Sequence, residues 1–199
     1  MRCTLIILVT LLSAFTAWSG ETADTNLVRL HSVIPDLLTD VRYATENNFT
    51  KTVLYSSDTL WARDFAAQKL AKAQEHAKSI GLQLKVYDAY RPPSVQRFMW
   101  SLVPDERYVA DPKKGSRHNR GCAFDLTLCT ADGVELDMGT DYDDFTEKAA
   151  ADYTDLPEIC LENRKLLLKI MAQAGFDVLP TEWWHFDARG WEQYAIVEP

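Results

Sequence analysis

The chain has 199 residues, of which 47% are hydrophobic and 25% charged, and its formal net charge is -8. This length favours one domain or at most two, and the composition is that of a folded protein and not of a disordered or fibrous chain. The acidic balance and the absence of a basic run argue against nucleic acid or an anionic membrane surface as a partner.

The first twenty residues have the layout of a secretory signal peptide. Arg2 gives a positive start, the following segment 5–15 (LIILVTLLSAF) is almost wholly apolar, and small residues lead to Ser19 and Gly20. This apolar segment is shorter than the about 20 residues that a membrane span needs, so a removable signal is favoured over an anchor. We therefore expect residues 1–20 to be cleaved, leaving a periplasmic or secreted protein with no membrane attachment.

Residues 21–199 contain no repeat, low-complexity tract or long linker, which predicts one compact domain after a loose lead-in. Asp58 can cap a first helix, in which apolar residues recur at helical spacing from Leu60 to Ala77. Gly81 supplies the stop signal of this helix.

The middle of the chain predicts strands separated by a helix and a turn. Residues 82–90 (LQLKVYDAY) alternate apolar and polar side chains like a strand, and 95–102 form a second helix after two prolines. Residues 122–130 (CAFDLTLCT) predict another strand, and the turn signal 131–133 (ADG) leads into 134–136.

The last third of the chain predicts a helix over 158–174, ended by Gly175, and then two strands over 176–179 and 183–187. Strands and helices without a regular βαβ alternation indicate an α+β fold. We expect a single domain with a small, mostly antiparallel sheet flanked by helices.

Three cysteines remain once the signal is removed: Cys122, Cys129 and Cys160. An oxidising compartment permits one disulfide, and Cys129 with Cys160 is the preferred pair because Cys122 lies inside a candidate metal motif. Three buried free thiols are the alternative.

Two of the four histidines are candidate metal ligands. His76 lies on the polar side of the first predicted helix and His31 has no partner residues around it, so both are expected to be ordinary surface histidines or histidines satisfied by hydrogen bonds. His118 belongs to the segment 116–125 (SRHNRGCAFD), which ends in Asp125 amid apolar strand residues. A carboxylate there is costly to bury unless it is paired or binds a metal. The alternatives to a metal are that Asp125 caps a loop or pairs with Arg120.

The segment 182–185 (EWWH) supplies the third candidate ligand, His185, and a second carboxylate, Glu182. Two histidines and one carboxylate form a common catalytic zinc set, and zinc lowers the pKa of a bound water to about 7. Glu182 is the candidate general base for that water. Positions three apart point to opposite faces of a regular strand, so a turn or bulge must bring Glu182 and His185 together.

The patterns S-x-H-x6-D and E-x-x-H resemble the zinc site of the D-Ala-D-Ala peptidases, above all the D-alanyl-D-alanine dipeptidases of the vancomycin-resistance type. The resemblance extends in order over nearly the whole chain after the signal. The segments that carry it are 42–45 (RYAT), 48–50 (NFT), 88–92 (DAYRP), 116–128 and 182–185.

The resemblance implies one zinc ion held by His118, Asp125 and His185 on the sheet, with Glu182 as the general base. It also implies that Arg91 stabilises the oxyanion of the tetrahedral intermediate, a role suited to a permanently charged guanidinium. The alternative for Arg91 is a polar strand end at the surface.

The resemblance further implies that Tyr43, Ser116 and Asp143 hold the free amino terminus of a dipeptide, although Asp141 and Asp144 are neighbouring registers for the acidic residue. The expected reaction is hydrolysis of D-Ala-D-Ala to two D-Ala. A zinc D,D-carboxypeptidase or an L,D-peptidase or endopeptidase of peptidoglycan stem peptides is one alternative, and a non-catalytic zinc-binding module is another.

Overall fold

The computed structural model describes residues 27–198, so the predicted signal peptide lies outside the described residues. The helices are α1 (Leu30–Val33), α2 (Asp64–Ser79), α3 (Pro93–Leu102) and α4 (Glu158–Gln173). The strands are β1 (Leu27–Arg29), β2 (Leu38–Thr39), β3 (Trp61–Arg63), β4 (Leu82–Asp88), β5 (Ala123–Thr130), β6 (Phe176–Leu179) and β7 (Glu182–Ala188). This is the predicted α+β fold, and no helix within 27–198 is long and apolar enough to span a membrane.

Five strands form the main sheet, in the order β2-β4-β5-β7-β6, while β1 and β3 form a separate antiparallel pair. Only the β2–β4 pair of the main sheet is parallel among the described strands, which confirms a mostly antiparallel sheet. Asp88 on β4 lies opposite Asp125 on β5, and Asp125 lies opposite His185 on β7. The central strands therefore carry a row of polar side chains across the sheet.

The hydrophobic core lies between the sheet and the two long helices. Helix α2 packs against β4, helix α4 packs against β6, and the two helices contact each other. Phe124, which alternates with Asp125 along β5, meets the ring of Phe176 edge-on in this core. Alternation thus directs the apolar residues of β5 and its polar residues to opposite faces of the sheet.

The start of the first long helix differs from the prediction. Residues 61–63 form β3 and pair with β1, so α2 begins only at Asp64 and Asp58 does not cap it. Arg63 occupies the N-cap position, and its side chain binds the carbonyl oxygens of Arg120 and Ala195. Gly81, with φ at +78°, follows the end of this helix as predicted.

The other predicted helices and strands are confirmed within about two residues at each end, except that 134–136 is not a strand and contributes only an isolated bridge between Glu135 and Cys129. The Cys129–Cys160 disulfide is wrong, because all three described cysteines are buried free thiols. Cys129 interacts with Lys85 on the neighbouring strand, whereas Cys160 on α4 interacts with Asp137, so the two sulfur atoms have different surroundings.

Candidate metal centre

The loop that carries His118 is shaped by a single turn of 3-10 helix, His118–Arg120, and by Gly121 directly after it. Gly121 has φ at +68°, a left-handed conformation that residues with a Cβ atom rarely adopt. A Cβ atom there would lie 2.7 Å from Cδ2 of Leu27 and 3.1 Å from the backbone nitrogen of Arg63. The sharp turn between the two predicted ligands therefore needs glycine for both conformational and steric reasons.

Hydrogen bonds fix the protonation of both candidate histidine ligands. His118 Nδ1 lies 2.6 Å from the carbonyl oxygen of Ala89, to which it can only donate. His185 Nε2 lies 3.0 Å from Oδ1 of Asp187, to which it also donates. The opposite ring nitrogens, His118 Nε2 and His185 Nδ1, therefore present lone pairs in the neutral imidazoles.

These two nitrogens and one carboxylate oxygen converge on a single point. His118 Nε2 and His185 Nδ1 are 3.1 Å apart, and they lie 3.3 and 3.0 Å from Oδ1 of Asp125. Ligands at about 2.0–2.1 Å from a tetrahedral zinc ion are separated by about 3.3 Å. The buried triad thus has the donor types and the spacing for a metal ion. The alternative pairing of Asp125 with Arg120 is wrong, because Arg120 donates to the carbonyl oxygen of Tyr194.

Charges in the triad favour a bound cation. Burial opposes a charged imidazole at His185, but Asp187 and Asp125 outweigh burial and raise its pKa to about 10. Burial also opposes ionisation of Asp125, yet the two histidines hold the pKa of that carboxyl well below its usual range. A proton or a metal ion can occupy the same place at His185, so binding a metal releases a proton.

Glu182 reaches the triad because β7 is irregular. Val178 of β6 lies opposite Phe186, but the next residue, Leu179, lies opposite Glu182, which shifts the register between the two strands. This irregularity brings Glu182 Oε2 within 3.8 Å of His185 Nδ1, as the sequence requires. Burial, reinforced by the nearby carboxylates and opposed by His185, raises the pKa of Glu182 to about 8.

Arg91 is buried beside the triad and is not a surface strand end. Its Nε and Nη2 donate to Oδ2 of Asp88, at 2.9 and 2.8 Å. The guanidinium lies over the ring of Tyr43, 5.3 Å from the centroid, and Nη2 is 3.6 Å from Oδ2 of Asp125. A fixed positive charge therefore borders the position that a metal would occupy.

The three predicted substrate-binding residues also meet in this cavity. The Tyr43 hydroxyl donates to Oδ1 of Asp143 over 3.0 Å, and Ser116 Oγ accepts the backbone N–H of His118. Asp143 Oδ2 is buried without a hydrogen-bond partner among the described residues. Burial, together with Asp125, raises the pKa of Asp143 to about 7.

Asp143 is distinguished from its acidic neighbours by backbone and position. It has φ at +62°, a strained conformation for a residue other than glycine. Asp141 and Asp144 line separate grooves instead of the cavity beside the triad. Of these three acidic residues, Asp143 is therefore the one that lines the cavity beside the triad.

Several partners of the site were not identified from the sequence. Tyr142 donates to Oδ2 of Asp125 over 2.9 Å, and the Tyr55 hydroxyl donates to Oδ1 of Asp88 over 2.7 Å. Asp187 had a sequence signal, since it follows His185 by two positions on one strand and so shares its face. The two tyrosines lie far from their partners in the chain and had no such signal.

The chain is similar to known proteins over most of its length. Residues 23–195 match the family model described as D-ala-D-ala dipeptidase. The D-alanyl-D-alanine dipeptidase of Escherichia coli (strain K12) is 40% identical over 173 residues, covering 87% of this chain and 90% of that protein. That of Enterococcus faecalis (strain ATCC 700802 / V583) is 32% identical over 168 residues, covering 74% and 83%. The solved LdcB LD-carboxypeptidase shares the fold, with a TM-score of 0.50 and 19% identity over 87% of this chain and 72% of its own.

Proposed function

The chain belongs to the D-Ala-D-Ala dipeptidase family, and we propose that it hydrolyses D-Ala-D-Ala to two D-Ala with one zinc ion held by His118, Asp125 and His185. The converging lone pairs and carboxylate oxygen support this ligand set, and the neutral tautomers are those that zinc requires. When bound, zinc supplies a Lewis acid and lowers the pKa of water to about 7.

Glu182 is the general base in this proposal. Its Oε2 lies 3.8 Å from His185 Nδ1, and burial raises its pKa above the usual value, toward the neutral range in which a base both accepts and returns a proton. Its carboxylate takes the proton from the attacking water and passes it to the amine of the leaving D-Ala. The presence of Glu182 also favours an enzyme over a non-catalytic zinc-binding module, because such a module needs metal ligands but no general base.

Arg91 stabilises the oxyanion that develops on the scissile carbonyl. The guanidinium is already held by Asp88 and is itself buried, so little reorganisation is needed as charge develops. A donor in a buried site gains more from a developing charge than a donor in water does.

The observation that carries the choice of substrate is the unpartnered Oδ2 of Asp143. A buried carboxylate oxygen without a donor is unfavourable, and the ammonium group of a free dipeptide supplies that donor with the opposite charge. Tyr43 holds the other carboxylate oxygen in place, and Ser116 borders the same cavity. A longer or N-blocked peptide has no ammonium group at this position.

The test compares kcat/KM for free D-Ala-D-Ala and for N-acetyl-D-Ala-D-Ala. We expect kcat/KM to be about 10- to 100-fold higher for the free dipeptide, which is the effect of one hydrogen bond to a charged group. Preference for the acetylated substrate would contradict the ammonium site and favour a carboxypeptidase of peptidoglycan stem peptides.

The proposal also places the enzyme in the periplasm or outside the cell. The charged start and short apolar segment of residues 1–20 support export. Amino-terminal sequencing of the protein from a fractionated host should find a start near residue 20 or 21 in the exported fraction. An intact amino terminus in the cytoplasmic fraction would contradict export.

A further inference from the structure

Gln96 connects Arg91 to the cavity wall, although no motif in the sequence singles it out. It lies on α3 and is fully buried. Its Oε1 accepts a hydrogen bond from Arg91 Nη1 over 3.0 Å, and its Nε2 donates to the carbonyl oxygen of Ala110 over 2.8 Å. One side chain therefore contacts both the proposed oxyanion-binding arginine and the segment 106–110 that lines the cavity.

The donor count of Arg91 shows why the first contact matters. A guanidinium has five N–H groups. Asp88 accepts two and Gln96 accepts one, which leaves two of the five, one on each terminal nitrogen. Both remaining N–H groups are available to a substrate oxygen, and Nη2 lies on the side of the triad, 3.6 Å from Oδ2 of Asp125. Gln96 holds the other terminal nitrogen and so fixes the direction in which the guanidinium faces.

The second contact concerns the wall of the cavity. Residues 106–110 lie in the connection between α3 and the His118 loop and include no helix or strand. The bond from Gln96 Nε2 to Ala110 ties this connection to a rigid helix. Its loss would loosen the wall without touching Arg91 directly.

We infer that Gln96 is a positioning residue with two separable roles. Its oxygen holds the guanidinium of Arg91 in its orientation toward the oxyanion, and its nitrogen fixes the cavity wall that encloses the bound peptide. This inference rests on the proposed function, because the first role needs Arg91 to act on a tetrahedral intermediate. Loss of a contact made in the transition state lowers kcat, whereas loss of a contact that shapes the ground-state complex raises KM.

Two substitutions separate the roles. Gln96→Glu keeps an oxygen for Arg91 but replaces the donor to Ala110 with a second oxygen. Gln96→Met keeps the approximate shape and removes both hydrogen bonds. Gln74→Met is the matched control, because Gln74 is also buried on a helix and accepts one backbone N–H, from Leu84, away from the cavity.

Steady-state kinetics with D-Ala-D-Ala, together with the zinc content and melting temperature of each variant, test the inference. Gln96→Met should lower kcat about 10- to 100-fold, the effect of losing a hydrogen bond to a charged group. Gln96→Glu should keep kcat within about threefold and raise KM about 5- to 10-fold. Gln74→Met should lower the melting temperature and leave kcat unchanged.

Equal losses of kcat in the two Gln96 variants would overturn the inference, because a merely structural role does not distinguish them. An unchanged KM in Gln96→Glu would also overturn it, and this outcome is decisive even if Gln96→Met does not fold. Inactivity of the unaltered enzyme on D-Ala-D-Ala would instead overturn the proposed function. Parallel losses in an active enzyme overturn the role of Gln96 alone.

Discussion

Replacing Tyr142 by phenylalanine should weaken zinc binding without disturbing the packing around the metal. The Tyr142 hydroxyl donates to Oδ2 of Asp125 over 2.9 Å, while the proposed ligand atom is Oδ1 of the same carboxylate. The hydroxyl thus fixes the orientation of the carboxylate and keeps it ionised. The ring itself stacks on Tyr87 at 4.6 Å and meets Trp184 edge-on, and both contacts persist in the variant.

The size of the effect follows from the charge and burial of this hydrogen bond. A hydrogen bond to a charged group contributes about 1.5–3 kcal/mol, and loss of a partner that orients a metal ligand costs about 10- to 100-fold in metal affinity. Tyr142 and Asp125 are both buried, so water cannot readily replace the lost donor. We expect the zinc dissociation constant of Tyr142→Phe to rise about 10- to 100-fold.

Competition with a chromophoric chelator at fixed pH measures this dissociation constant. Tyr87→Phe is the matched control, because it removes a hydroxyl from the stacked neighbouring ring, where the partner is Glu135 and not a metal ligand. The control should bind zinc like the unaltered protein. Tyr142→Phe with an affinity within twofold of the unaltered protein, or equal weakening in both variants, would refute the assignment of Tyr142 as a partner of a zinc ligand.

Three further predictions concern the base, the ammonium site and the turn. Glu182→Gln should retain zinc, by metal analysis, and lower kcat about 10²- to 10⁴-fold; unimpaired turnover would rule out the base. Burial, with a neighbouring carboxylate, raises the pKa of Asp143 to about 7, so its charge is lost as pH falls through 7 and KM should rise on the acid side. Asp143→Asn should remove that rise, and an unchanged pH profile of KM would contradict the ammonium site. Because the folded-state pKa of Asp143 lies above its unfolded value, the ionised carboxylate destabilises the folded protein at pH 8. Asp143→Asn should therefore raise the melting temperature of chelator-treated protein at that pH. Gly121→Ala should lower the free energy of unfolding by about 2 kcal/mol or more. Gly81→Ala should lower it less, because both glycines have positive φ but only a Cβ atom at position 121 would meet neighbouring atoms. Equal denaturant midpoints for the two variants would contradict the steric argument.

The regular parts of the fold could be predicted because they follow local patterns. The strand predicted over 82–90 and the helix predicted over 158–174 correspond to β4 and α4, and their ends agree within two residues. The start of α2 could not be predicted in this way. Residues 61–63 pair with β1, so a tertiary contact and not local propensity decides where the helix begins.

The candidate site likewise has parts that could be predicted from the sequence and parts that could not. Its ligands and base lie in two short motifs, which is why His118, Asp125, Glu182 and His185 were accessible from the sequence. Their partners are brought in by the fold: the β6–β7 irregularity places Glu182, and the approach of α3 to the end of β4 places Gln96 against its arginine. Neither of these contacts can be predicted from the spacing of residues along the chain.

Zinc reconstitution followed by a single-turnover assay tests the central claim most directly. Metal-free protein would be titrated with zinc and mixed with free D-Ala-D-Ala in less than stoichiometric amount, and the released D-Ala would be measured. The account predicts that turnover rises to a plateau at one equivalent of zinc, disappears on chelation and returns on adding zinc. A protein that binds one equivalent of zinc and releases no D-Ala, or that releases D-Ala equally well after complete removal of the metal, would contradict the account.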